Sequence, residues 1–213
     1  MQTDRIKVKS DGTGFEDALE ETSRFAVYVG LNEKQNRRLR LLAEETLGMV
    51  RAITGEFDAE FWLEARRGHH YRIYLNATTK MDYAKKRELI ETSSQKKNAA
   101  SKGFMGKVRD LFENGLYSVD ESAAIQNAYG GQVMYASMGM TDINASSNMN
   151  AIVYQWSLER YRESIDETRE ANQEAAEEAW DELEKSIVAN IADDVRVAVS
   201  GNSVELVIEK RMV

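Results

Sequence analysis

Cysteine is missing from all 213 residues, and with it go disulfides, thiolate zinc sites, iron–sulfur clusters and a cysteine nucleophile. Proline is missing too, where average usage of about 5% would supply about ten, so no helix here is interrupted by one. Histidine is nearly absent. His69 and His70 are the only two, and any Ser–His–Asp or multi-histidine metal site would have to use that one place. Basic residues number 28 against 36 acidic ones, and the net charge of −8 with a pI near 5.0 argues against duplex nucleic acid as a partner. Long apolar runs are lacking as well. Met1-Gln2-Thr3-Asp4-Arg5-Ile6-Lys7 has no signal-peptide core, and the uncharged stretch Ser122–Thr141 contains Gln126, Asn127, Gly130, Gly131, Gln132 and Gly139, too polar to face lipid. The expectation is a cytoplasmic protein without a membrane partner.

What is present suits a globular chain. Hydrophobic residues make up 42% and charged ones 30%, with mean hydropathy −0.54, and 24.2 kDa is enough for one full core and barely enough for two. Arg5–Lys9 alternates as a short strand. Ser10-Asp11-Gly12-Thr13-Gly14 then turns the chain into a helix that places Phe15, Ala18, Leu19, Thr22, Phe25, Ala26 and Val29 on one face and stops at Gly30. Asn32 with Gln35 reads as a capping box before a second helix that buries Leu39, Leu42, Ala43, Thr46, Val50 and Ile53 and ends near Gly55. Phe57–Glu64 and Tyr71–Leu75 read as a hairpin around Arg67-Gly68-His69-His70.

The second half is polarised in charge. Lys80–Arg109 carries nine bases and three acids, or +6, while residues 159–185 carry eleven acids and four bases, or −7. The basic part holds one helix, a polar stretch from Thr92 to Lys102, and Gly103-Phe104-Met105-Gly106 opening a helix over Lys107–Asn114. Residues 115–150 are rich in Ser, Ala, Asn, Gly and Met and show little periodicity. A long helical stretch is expected from Ala151 to about Ala192, broken near Ala171-Asn172, and Val195–Val199 with Val204–Ile208 form a C-terminal hairpin. The fold class that follows is α+β: one domain over residues 1–213, a two-layer sandwich with helices on one face of a mainly antiparallel or mixed sheet, and a lid or insertion at about 80–180.

This order of elements resembles the histidine-kinase-like ATPase fold, in its small anti-sigma-factor (serine kinase) version. Leu41-Leu42-Ala43-Glu44-Glu45-Thr46-Leu47-Gly48-Met49-Val50 is similar to the family's first nucleotide-binding helix, where a glutamate is the general base and an asparagine four residues on holds magnesium. Glu45 stands at the glutamate position, but Met49 stands at the asparagine position, and a thioether is a poor ligand for a hard cation. The family's aspartate–x–glycine turn binds the adenine amino group; aligned through Met81-Asp82, it falls on Ala77 and Thr78, and alanine accepts no hydrogen bond there. The glycine-rich lid is better kept in Lys102-Gly103-Phe104-Met105-Gly106-Lys107, whose backbone N–H groups suit phosphate oxygens. The resemblance covers residues 5–114 and 180–210.

It implies a bacterial-style regulatory protein with an eroded nucleotide site, acting by association with a sigma-factor-like or other regulatory protein through the basic lid and the Met-rich insertion. The residues demand no cofactor; ATP with magnesium is what the resemblance would supply. Two other readings stand beside it: an ATP-binding serine kinase with Glu45 as base and residues 103–107 on the phosphates, and a pocket kept for a different small ligand. Each singled-out group has a plain alternative. Glu45 is a solvated neighbour of Glu44, and the GxxGK fragment lacks the spacing and the Ser or Thr of a full phosphate loop. The adjacent His69 and His70 point to opposite faces, which suits an exposed basic turn rather than a metal site. Met134, Met138, Met140 and Met149 with Tyr129 and Tyr135 suit either an adaptable docking surface or the cover of a local core. Trp156, Tyr161 and Trp180 suit core packing. The acidic face over 159–184 is solvated or pairs with the lid, within the chain or across a homodimer.

Overall fold

Alternation decides the sheet. Along Phe57–Arg66, Phe57, Ala59, Phe61 and Leu63 are buried while Asp58, Glu60, Trp62 and Glu64 between them are half-buried, the period of a strand with two unlike faces. A computed structural model describes residues 1–54, 56–79, 133–134, 153–200 and 203–212. Seven strands are found there: β1 (Ile6–Lys9), β2 (Phe57–Arg66), β3 (His70–Thr79), β4 (Val133–Met134), β5 (Val153–Ser157), β6 (Asp194–Ser200) and β7 (Ser203–Arg211). They form one sheet in the order β1-β2-β3-β7-β6-β5-β4, with antiparallel neighbours throughout. Five helices accompany it: α1 (Phe15–Tyr28), α2 (Glu33–Thr54), α3 (Leu158–Ala171), α4 (Gln173–Glu184) and α5 (Ile187–Ile191). The architecture is an α+β sandwich.

Register ties the strands into rows. One row runs Ile6, Phe61, Leu75, Leu206, Val197 and Trp156, side by side across six strands. Phe61, Leu75, Leu206 and Val197 are all nearly inaccessible, and Ile6 and Trp156 pack against them. The helices bring Phe25, Leu39, Leu42, Leu47, Leu158, Ile165, Ala176 and Val188 to the same core. The two buried threonines among them spend their hydroxyls locally, Thr22 donating to the Ala18 carbonyl and Thr46 to that of Leu42.

Local chemistry sets the helix ends. Gly30 takes φ 78° while its N–H donates to the Val27 carbonyl and that of Leu31 to the Ala26 carbonyl, the paired bonds of a Schellman stop. The expected capping box is reciprocal: the Gln35 N–H donates to Asn32 Oδ1 at 3.0 Å and the Asn32 N–H to Gln35 Oε1 at 2.9 Å. Asn172 and Ser186 cap α4 and α5 by one bond each, their side-chain oxygens accepting from the Ala175 and Ala189 N–H groups. Gly14 is needed for a different reason. Its φ is 78°, and a Cβ built on it would stand 2.1 Å from the Lys7 carbonyl oxygen, because α1 starts hard against β1.

Two expectations are corrected. Val153–Ser157 is a strand paired with β6, not the start of a long helix; aromatic and β-branched residues favour a strand once a partner edge is beside them. The stretch after it is three helices, divided by the caps at Asn172 and Ser186. Next, β3 does not end at Leu75 but continues to Thr79, with Ala77 paired to Ala59 on one side and Val204 on the other. The basic helices, the lid and most of residues 115–150 lie outside the described residues.

Gly14→Ala should lower stability by at least about 2 kcal/mol, combining a left-handed φ with a backbone clash, whereas Gly12→Ala, with open space around it, should cost only about 1 kcal/mol. Urea midpoints at unchanged m-value measure both; equal costs would contradict the close approach of α1 to β1.

Candidate functional site

The residues singled out from sequence separate in the structure. Met49 is buried in α2 at 6% exposure, and Ala77 is fully buried in β3; both belong to the hydrophobic core between α2 and the sheet. Glu45 is half-buried on α2, one residue from the buried Thr46. Thr78, on the opposite face of β3 from Ala77, is exposed. Lys102, Gly103, Gly106 and Lys107 lie outside the described residues. Met49 and Ala77 thus both belong to the core, whereas Glu45 is half-buried and Thr78 is exposed. Neither Met49 nor Ala77 offers a polar atom of its side chain to a ligand, and neither stands on a turn. Among the described residues no group of three His, Asp or Glu side chains is arranged to hold a metal ion.

A second, unforeseen cluster lies on the other face of the sheet. Trp62 and Tyr74 are register partners on β2 and β3, stacked with ring centroids 4.9 Å apart and an interplanar angle of 3°. The Arg5 guanidinium lies 4.5 Å from the Trp62 ring centroid and also bonds Glu60 at 2.7 Å, so a cation, an indole and a phenol form one stack. The Tyr74 hydroxyl donates to Glu64 at 2.8 Å and accepts from Arg72 at 3.4 Å. Arg66 pairs with Glu64, and Glu209 on β7 is held between Arg72 and Arg196. These ion pairs are 35% exposed or less, except for Arg5–Glu60, so they are partly shielded from solvent.

Electrostatics differ across this face. Burial is the largest influence on Tyr74 and raises its pKa, with the Glu64 contact adding and the Arg72 contact opposing. Glu205, in the same row as Asn76 and Ala198, is also pushed above the usual carboxylate range, and burial is the sole cause. The arrangement is a polar platform of stacked rings and ion pairs. The alternation of polar residues in β2, β3 and β7 is visible in the sequence, and it was the signal for this face. The partners were not, because Arg72–Glu209 joins strands far apart in the chain.

His69 and His70 are exposed at the β2–β3 turn, as expected, and His69 takes φ 60° beside Gly68 at 82°. Trp156 packs at the core with its ring 5.9 Å from that of Tyr161, and Trp180 is half-buried against the same core. No helix among the described residues is long and apolar enough to cross a membrane. Comparison with protein-family models, with curated proteins and with solved structures finds no match; the fold itself defines an α+β sandwich.

Glu205→Gln should raise the melting temperature at neutral pH. A carboxyl whose folded pKa is raised contributes stability while protonated and loses it as pH rises through that pKa, so the ionised group is a cost at pH 7. The gain should vanish at pH well below the ordinary value of 4.5. A gain independent of pH would show that charge is not its origin.

Proposed function

We propose that this chain is a regulatory protein of the anti-sigma-like histidine-kinase-type ATPase class, acting by protein–protein association, with its former nucleotide positions given over to core packing. The observation that carries the reading is the burial of Met49 and Ala77. In the resembled family those two places hold the magnesium ligand and the adenine acceptor; here a thioether on α2 and a methyl on β3 are buried in the core. Such packing is what a chain does once a cleft no longer has to stay wet, since apolar side chains at these places add core contacts and remove polar groups that would otherwise need partners.

Association is the activity this leaves. Its contact surface is proposed in the basic stretch around Lys102 and Lys107 and in the Met-rich residues 115–150, and its partner in a sigma-like or other regulatory protein, as the resemblance implies. A cytoplasmic setting belongs to the same proposal. The alternative, a serine kinase with Glu45 as base, requires a replacement for the missing magnesium ligand, and the described residues offer no cluster that would provide one.

Thermal melting with millimolar Mg-ATP or Mg-ADP tests the reading. No shift is expected. A ligand at a hundredfold its Kd would add about 2.7 kcal/mol, or roughly 5–10 °C for a chain of this size, and a saturable shift of that order would overturn the proposal. Ala77→Asp, which restores the family's acceptor, should cost about 3–5 kcal/mol as an unpaired buried charge and confer no ATP response. A folded, ATP-responsive Ala77→Asp protein would show that a cleft is present.

A further inference from the structure

The β2–β3 turn collects basic side chains on a chain whose net charge is −8. Arg66 of β2, His70 of β3 and Arg211 of β7 are register partners, so they stand in one row across three adjacent strands. Tyr71 is buried on the core face, which puts this row on the face opposite the helices. Arg67 and His69 flank Gly68 in the turn itself, and Arg67, His69, His70 and Arg211 are all exposed. The row holds two guanidinium groups around an imidazole and no carboxylate, and like-charged cross-strand neighbours oppose pairing.

The acids nearby are engaged elsewhere. In the next row Glu64 bonds Arg66 and Tyr74, and Glu209 pairs with Arg72 and Arg196. Asp193 holds the Lys210 ammonium and the backbone N–H of Arg211. Among the described residues no ion pair includes Arg67, His69, His70 or the Arg211 guanidinium.

The turn is also held in a shape that its residues do not favour. His69 has φ 60°, the one non-glycine residue with positive φ among those described, and it follows Gly68 at φ 82°. Both flanks are fixed, the Met212 N–H donating to the His69 carbonyl at 3.0 Å and the Ala65 N–H to the Met1 carbonyl at 2.8 Å. The His70 ring lies against the turn: a Cβ on Gly68 would stand 3.3 Å from its Cδ2 and 3.8 Å from its Nε2. The N–H groups of Gly68 and His69 donate to no group of the described residues.

We propose that the β2–β3 turn binds a phosphate monoester dianion, held by the Arg67 and Arg211 guanidinium groups and the His70 imidazole, with the Gly68 and His69 N–H groups as further donors. Strands about 4.8 Å apart put both guanidinium groups within reach of the imidazole. A tetrahedral dianion presents acceptor oxygens in several directions at once, which suits donors converging from a turn and two strands; a carboxylate offers two oxygens in one plane. Ala77 lies seven residues further along β3, roughly 23 Å away at about 3.3 Å per residue. The inference therefore does not rest on the fate of the nucleotide site.

Backbone amide NMR of the full chain in about 50 mM sodium chloride tests it with three probes: inorganic phosphate, a capped phosphoserine pentapeptide of otherwise glycine, and the same peptide unphosphorylated. The Gly68 and His69 amides should shift saturably with phosphate at a Kd of about 1 mM or below, and sodium chloride of matched ionic strength should not reproduce the shift. A phosphopeptide at least about tenfold tighter than phosphate assigns the site to phosphorylated protein, and equal affinity assigns it to free phosphate. The unphosphorylated peptide should not bind. Arg67→Gln with Arg211→Gln should weaken phosphate binding at least about tenfold while the melting temperature holds or rises, because like charges are removed. His70→Gln should weaken it several-fold. No saturable shift up to about 20 mM phosphate overturns the proposal. So does a shift reproduced by sodium chloride, or an affinity unchanged in both variants.

Discussion

The row from Ile6 through Phe61, Leu75, Leu206 and Val197 to Trp156 is the constraint on which the other features rest. It joins strands from the start, the middle and the end of the chain, so no part of the sheet can shift register without moving side chains from the helix-covered face to the polar one. The helices have one surface to bury against. That surface is apolar and continuous, and it dictates which residues of α1 and α2 point inward.

Seen from that row, the fate of positions 49 and 77 is a packing outcome. Ala77 pairs with Ala59 and Val204, small and branched residues that let α2 approach β3 closely. Met49, a flexible and polarisable chain on α2, is buried in the same core. A carboxylate or an amide in either place would need a partner, and the core around them is mainly apolar. Most polar groups of the described strands are instead on the opposite face, where Arg5 lies over Trp62, Trp62 stacks on Tyr74 and Tyr74 bonds Glu64, while Thr79 and Tyr71 of β3 are buried on the core face.

Much of the first eighty residues was legible because the signals are local. Period-two burial in Phe57–Arg66, the Asn32–Gln35 box and the Gly30 stop each involve residues within a few positions of one another. Val153–Ser157 was misread for the opposite reason: its identity as a strand is conferred by β6, some forty residues later, while its own residues run without a break into an amphipathic helix. The extension of β3 over Ala77–Thr79 was hidden in the same way, since β7 completes the pairing there. Of the candidate site, residue types at 45, 49, 77 and 78 were readable, but whether they faced a ligand or a core was a matter of burial, which composition does not encode.

Methyl-labelled methionine NMR addresses the central claim most directly. The account predicts that the Met49 methyl shows cross-relaxation to aliphatic and aromatic core protons and keeps its chemical shift when millimolar Mg-ATP is added. A Met49 signal that lacks those contacts and moves saturably with nucleotide would contradict it.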